Sequence, residues 1–243
     1  MKLERISALV VGGGTGIGLG IAQALTEEGC RVAIAGRREL VLREAAESRL
    51  GKPGILYHTV DVGDRASVHR LFAWAGEALG TIDVLVNAAG FNIKNRSMAD
   101  MTPEQWDQMI TTNATGAYNC MYAALPDMRA RGDGIIVNIS SVAGRRAVEL
   151  GGVAYNASKF AMTALSTTVA NEEAKHGIRI TNIMPGEVDT PILESRPEPV
   201  SEQRRAAMLK PEDVGAMVVA VVCLPPRAHV PELVIKPIVQ EFT

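Results

Sequence analysis

Aromatic side chains are scarce, at 4% of the chain, although hydrophobic residues as a whole reach 47%. A core built here must rely on Ala, Val, Ile, Leu and Gly, a balance that suits buried parallel strands covered by closely packed helices. Cysteines are also few. Cys30, Cys120 and Cys223 lie far apart and lack paired CxxC spacing, which excludes a disulfide framework or a cysteine zinc site and leaves buried free thiols. The four histidines, His58, His69, His176 and His229, form no metal-ligand pattern, so no metal is expected. There is no long basic run and the net charge is −2, which gives no reason to expect a nucleic-acid partner. No apolar run has the length of a membrane span. The longest, residues 214–224, is short and interrupted by Gly215. The first five residues lead straight into the strand-like run 6–11, without a secretory apolar region and cleavage site. A soluble, cytoplasmic protein is expected.

What is present is alternation. Short apolar runs at 8–11, 32–35, 55–60, 84–86, 135–139, 178–183 and 233–235 read as strands. Between them, helical patterns occupy 17–28, 39–50, 64–79, a long stretch from Thr102 to about Arg131, 155–175 and 211–224. Gly29 and Gly80 follow two of these helices, the tract 51–54 closes another, Asp64 is an N-cap, and Pro103 stands at a first helical position. Repeated β–α units imply an α/β fold, a doubly wound parallel sheet with right-handed crossovers and helices on both faces. No linker or repeat divides the chain, so a single domain over 1–243 is expected. The one irregular polar stretch, 195–203, has the length of a lid and belongs to a substrate loop at about 190–210.

Residues 12–18, Gly-Gly-Gly-Thr-Gly-Ile-Gly, fall between the first strand and the first helix. Glycines there permit a tight turn and close backbone approach to a pyrophosphate, and the helix N-terminus supplies free N–H groups. The residue closing strand two discriminates between dinucleotides: an acid bonds the ribose 2′-OH of NAD, a basic residue accommodates the 2′-phosphate of NADP. Here the run is Ala35-Gly36-Arg37-Arg38, and a guanidinium offers a planar fork to a phosphate. That points to NADP rather than NAD. Tyr155 and Lys159 are four apart, hence on one helix face about one turn from each other. An ammonium beside a phenol favours the phenolate and poises a proton donor or acceptor near working pH. Alone, the pair reads better as a surface tyrosine with a solvated lysine; its setting decides against that.

In that setting the whole chain resembles the short-chain dehydrogenase/reductase family. Gly12, Gly16 and Gly18 match its glycine motif, Asp61-Val62 the pair that meets the adenine, and Asn87-Ala88-Ala89-Gly90 the N-A/N-A-G motif. Asn113 matches its catalytic Asn, Ser141 its catalytic Ser, Tyr155 and Lys159 its YxxxK, and Pro185-Gly186 with Val188 and Thr190 its P-G-x-V-x-T. There are departures. Val11 stands where the family usually has Thr, Ser140 adjoins Ser141, the Ser141–Tyr155 interval is one residue longer than the commoner one, and the D-G-G tail is absent. The C-terminal residues 230–237 resemble those of a subgroup of serine 3-dehydrogenase-like, NADP-dependent hydroxy-acid and aldehyde reductases.

The resemblance implies a three-layer Rossmann-type sheet of about seven strands in order 3-2-1-4-5-6-7. It implies an NADP-dependent oxidoreductase that moves a hydride between nicotinamide and a small alcohol or carbonyl substrate. Tyr155 is then the proton donor and acceptor, Lys159 lowers its pKa and bonds the nicotinamide ribose, and Ser141 holds the substrate oxygen. Asn113 organises a water that links Lys159 to solvent. Cofactor contacts are implied for Gly12, Gly14, Thr15, Gly16, Ile17, Gly18, Arg37, Arg38, Asp61, Val62, Asn87, Ala88, Gly90, Tyr155, Lys159, Pro185, Gly186, Val188 and Thr190. A homo-oligomer, dimer or tetramer, built on the two long helices is implied as well. Lys94, Arg96, Arg145, Arg146, Arg196, Arg204 and Arg205 lie in the loops expected to border the substrate. They either meet an anionic group or are ordinary surface charges. A catalytically silent, cofactor-binding regulator of the same fold remains the alternative.

Overall fold

The computed structural model describes residues 2–47 and 54–241. Seven parallel strands form one sheet in the order β3-β2-β1-β4-β5-β6-β7: β1 Ser7–Val11, β2 Arg31–Gly36, β3 Leu56–Thr59, β4 Val84–Asn87, β5 Gly134–Ile139, β6 Ile178–Pro185 and β7 Glu232–Ile235. Among the described residues eight α-helices accompany them: α1 Gly16–Glu27, α2 Glu39–Glu47, α3 Arg65–Leu79, α4 Pro103–Ile110, α5 Gly116–Arg131, α6 Val153–Glu173, α7 Glu202–Ala206 and α8 Pro211–Val222. Side chains alternate across each strand. Ala8 and Val10 pack with Ile21, Leu42, Val214 and Val218 of α1, α2 and α8. Leu9 and Val11 pack with Leu71, Met121 and Ala170 of α3, α5 and α6 on the other face. Three layers result, with a core of aliphatic rather than aromatic side chains.

One registered row shows how the core stops where the site begins. Leu9, Leu85, Ile136 and Ile180 are cross-strand partners on β1, β4, β5 and β6, all essentially inaccessible to solvent. Burying each such side chain contributes about 2 kcal/mol. Two residues further along the same face, the row reads Val11, Asn87, Asn138 and Asn182. Asn87 Nδ2 donates to Asn138 Oδ1 (2.8 Å), and Asn138 Nδ2 donates to Ser166 Oγ on α6 (2.8 Å). Asn182 Nδ2 donates to Thr163 Oγ1, also on α6 (3.2 Å). Buried amides need such partners, and these tie α6 to the carboxyl ends of three strands.

Local signals hold where chemistry fixes them. Asp64 caps α3 through Ala66 N (2.9 Å), and Thr102 with Gln105 forms a capping box at α4 ahead of Pro103. The single helix expected from Thr102 to about Arg131 is instead α4 and α5 joined by a π-helical turn, Thr111–Thr115, which contains Asn113. Such turns are invisible to a 3.6-residue pattern and concentrate at functional sites. Helix α6 begins at Val153, two residues before the expected start, and β3 is one residue shorter at each end. The irregular stretch 195–203 is partly ordered: Pro191–Ser195 forms a 3-10 turn and α7 begins at Glu202. The expected end of the second helix at 48–50, and residues 51–53 of the tract that closes it, lie outside the described residues.

Candidate active site

The glycine turn closes β1 onto α1. Gly12 has φ +85, and its N–H donates to Ala35 O (2.7 Å), so backbone bonds tie the turn to β2. A side chain on Gly18 would run into the Gly12 carbonyl oxygen. Thr15 leaves the N-terminus of α1 without a side-chain cap, and the first turn carries no acidic residue. The N–H groups of that turn are thus directed to whatever fills the groove in front of them.

That groove encloses about 450 Å³. Arg37, Arg38, Asp61 and Val62 line it along with Gly12, Gly14, Thr15, Gly16, Ile17 and Gly18, followed by Ala88 and Gly90, then Tyr155, Lys159 and Thr190. Both arginines are exposed. A second pocket of about 180 Å³ is lined by Ser141, Tyr155, Pro185, Gly186, Val188 and Thr190, with Arg96, Leu150, Leu193 and Gln240. Tyr155 walls both spaces.

Two expected site residues line neither. Asn87 does not face the groove: its side chain turns into the sheet, toward Asn138, as the pleat at its position requires. Asn113 lies fully buried behind the groove. Its Oδ1 accepts from Phe91 N (3.0 Å), and its Nδ2 donates to Phe91 O (3.0 Å) and Ser158 Oγ (3.1 Å). A methyl group on Gly90 would stand 3.3 Å from Asn113 Oδ1 and 3.5 Å from Lys159 Nζ, so Gly90 leaves the space in which that amide and that ammonium come near each other.

The adjacent serines separate clearly. Ser140 Oγ turns back to the Lys159 carbonyl (3.1 Å), which Thr163 Oγ1 also caps (3.0 Å). Ser141 Oγ accepts from Ala143 N (3.1 Å), and Ser141 shares the wall of the small pocket with Tyr155. Tyr155 is part-exposed because it walls two pockets, yet its surroundings are dense enough that burial pushes the phenol pKa up; the polar Ser141 hydroxyl, then the Arg96 charge, pull it back. Lys159 follows one turn later on α6. Its Nζ donates to Ile139 O (2.9 Å) and stands 5.6 Å from the centre of the Tyr155 ring. Burial pushes the Lys159 ammonium down to about 8.

The loop cations divide as sequence alone could not divide them. Arg145 pairs with Glu232 (3.0 Å), Arg196 (2.7 Å) and Arg204 (3.0 Å) pair with Glu187, and Arg205 pairs with Asp189 (3.4 Å). Lys94 is exposed. Arg96 alone of these is buried, and it is bonded to backbone carbonyls. Arg96 and the helix-facing Asn138 and Asn182 are the site-forming residues that motif matching passed over. Polar residues at the ends of apolar strands were the available sign for the two asparagines.

Comparison with known proteins agrees with this geometry. The family model described as short chain dehydrogenase matches residues 7–201. An uncharacterised oxidoreductase of Staphylococcus aureus is 31% identical over 231 residues, covering 95% of this chain and 96% of that protein. Among solved structures, an alcohol dehydrogenase from Thermococcus sibiricus complexed with 5-hydroxy-NADP superposes with a TM-score of 0.86 at 27% identity, covering 98% of this chain and 99% of that one. The closed form of a serine dehydrogenase complexed with NADP+ superposes at 0.88 with 29% identity, covering 98% and 97%.

Proposed function

Because the chain belongs to the short-chain dehydrogenase family and is an oxidoreductase acting on CH–OH groups, we propose that it moves a hydride between NADP(H) and a small alcohol or carbonyl compound, with Tyr155 as proton donor and acceptor. The observation that carries this reading is the position of Tyr155, which walls both the long groove and the small pocket, with Ser141 in the wall of the small pocket beside it.

The long groove suits a phosphorylated dinucleotide on three counts. The glycine turn permits close backbone contact, the first turn of α1 has no side-chain cap, and Arg37 and Arg38 stand where an NAD-selective acid would otherwise sit. Two structural neighbours solved with NADP-type cofactors lend further support. When bound, the nicotinamide would give or accept the hydride.

The chain's own residues handle the proton and the oxygen. Ser141 would donate a hydrogen bond to the substrate oxygen and polarise the carbonyl. In reduction Tyr155 gives its proton to the forming alkoxide; in oxidation its phenolate removes the alcohol proton. Lys159, whose pKa of about 8 suits proton exchange near neutrality, would hold the cofactor's ribose and hand protons on. Asn113, fixed by Phe91 and Ser158, would support that path.

The test pairs a panel of alcohols, hydroxy acids, aldehydes and ketones with Tyr155→Phe, followed by nicotinamide absorbance. The variant is expected to keep cofactor affinity and to lose about a thousandfold or more in turnover. A variant that retains wild-type turnover on a substrate the protein accepts overturns the assignment of Tyr155.

A further inference from the structure

Arg96 lies in the loop between β4 and α4, 9% exposed. Its guanidinium reaches three chain segments. Nε donates to Ile93 O in its own loop (2.7 Å), Nη1 to Leu150 O before α6 (2.7 Å), and Nη2 to Ser195 O after β6. Its backbone joins in, with Arg96 O accepting from Val153 N at the first residue of α6 (3.2 Å). Nearby, Asn92 Nδ2 donates to Gly151 O (3.0 Å). These segments contribute Asn92, Leu150 and Ser195 to the wall of the small pocket, on which Tyr155 also opens.

Three carbonyls satisfy donors but do not neutralise a cation. Among the described residues Arg96 forms no ion pair, whereas the neighbouring Arg196 is held by Glu187 at 2.7 Å. A buried guanidinium without a counter-charge is costly to the fold, and neutral donors could join loops without that cost. The charge needs an anion, and the anion that arises here during turnover is the phenolate of Tyr155.

We propose that Arg96 is a positioning residue of the active site: it staples the three loops that shape the substrate pocket, and its uncompensated charge favours the Tyr155 phenolate. This rests on Tyr155 acting as the proton-transfer group. The other groups around the phenol leave room for that role. Ser141, at the end of β5, is neutral, and Arg196 after β6 is already paired with Glu187. From α6, Lys159 directs its ammonium to the Ile139 carbonyl. Glu194, which lines the long groove, opposes the phenolate rather than helping it. The phenol's pKa agrees, since Arg96 is the charged group that pulls it down.

The test compares wild-type protein, Arg96→Gln and Arg96→Lys. Hydrogen exchange without substrate reads the staple: residues 91–97, 148–153 and 191–196 are expected to exchange at least about tenfold faster in Arg96→Gln. The pH profile of alcohol oxidation reads the charge, because activity rises as the phenol loses its proton. In Arg96→Gln the acid-side midpoint is expected to move up by roughly half a unit to one unit. Arg96→Lys keeps the charge but not the three-armed fork, so its midpoint is expected to move less while KM still rises. Unchanged exchange in Arg96→Gln overturns the staple, and an unchanged midpoint overturns the electrostatic role. If the wild type oxidises and reduces nothing while binding cofactor, the proposed function fails, and loop exchange still decides for or against the staple.

Discussion

Lys159→Met should make the protein more stable and inactive at once. Lys159 is 5% exposed, and burial pushes the pKa of its ammonium from 10.5 to about 8. At about 1.4 kcal/mol per pKa unit, the folded state carries a penalty of about 3 kcal/mol wherever both folded and unfolded chains hold the proton. Methionine keeps the length of the side chain and removes the charge, but it leaves Ile139 O without its donor, at a cost of about 1–2 kcal/mol. A net gain of about 1–2 kcal/mol near pH 7 remains, or a few degrees in Tm for a chain of this size. The sign of the pH dependence is the sharper check. Below pH 8 both states are protonated and the wild-type penalty is complete. Between about 8 and 10.5 the folded chain has released a proton that the unfolded chain retains, so wild-type stability rises relative to the variant. Above 10.5 neither state holds the proton and the penalty is gone, so the wild type, which keeps the donor to Ile139 O, is the more stable by about 1–2 kcal/mol. Urea unfolding followed by the fluorescence of Trp74 and Trp106 at pH 7, 8.5 and 10 measures it. Wild-type and variant curves that run parallel across that range would refute the reasoning, as would a variant less stable at pH 7.

Arg37→Asp replaces an exposed fork with a carboxylate at the end of β2. It is expected to invert the preference for NADPH over NADH, weakening NADPH by roughly ten- to a hundredfold. Equal affinities for both cofactors in the wild type, measured by fluorescence titration, would remove Arg37 from the proposed role. Exposed Tyr118 and Tyr122 on α5 and Phe160 on α6 are expected to be buried between copies of the chain. Light scattering should therefore report a dimer or tetramer that Tyr122→Glu weakens, and a monomer at every dilution would contradict this.

Reading the site from sequence worked best where the backbone itself carries the chemistry. The glycine turn fell between a strand and a helix because each of those patterns is local, and its lining of the groove followed from that placement. Tyr155 and Lys159 share a helix face for the same reason. Where the ammonium points was not legible: periodicity gives a face, and Nζ turns to a strand carbonyl. The direction of the Asn87 side chain was hidden by a related limit, since a motif names a residue but the pleat decides which layer its side chain enters. Arg96 was one of seven loop cations with nothing in the sequence to separate it from the others.

The sequence by itself determined the order of elements, the parallel sheet, the glycine turn and the helix bearing Tyr155, because periods of two and 3.6 residues and the special freedom of glycine act over a few neighbouring positions. Tertiary structure alone decided which loop cation is buried in the wall of the small pocket, where each serine hydroxyl turns, and how α6 is fixed to the strand ends. Those contacts join residues tens of positions apart, and burial, which sets both their strength and their pKa values, exists only once the layers have packed.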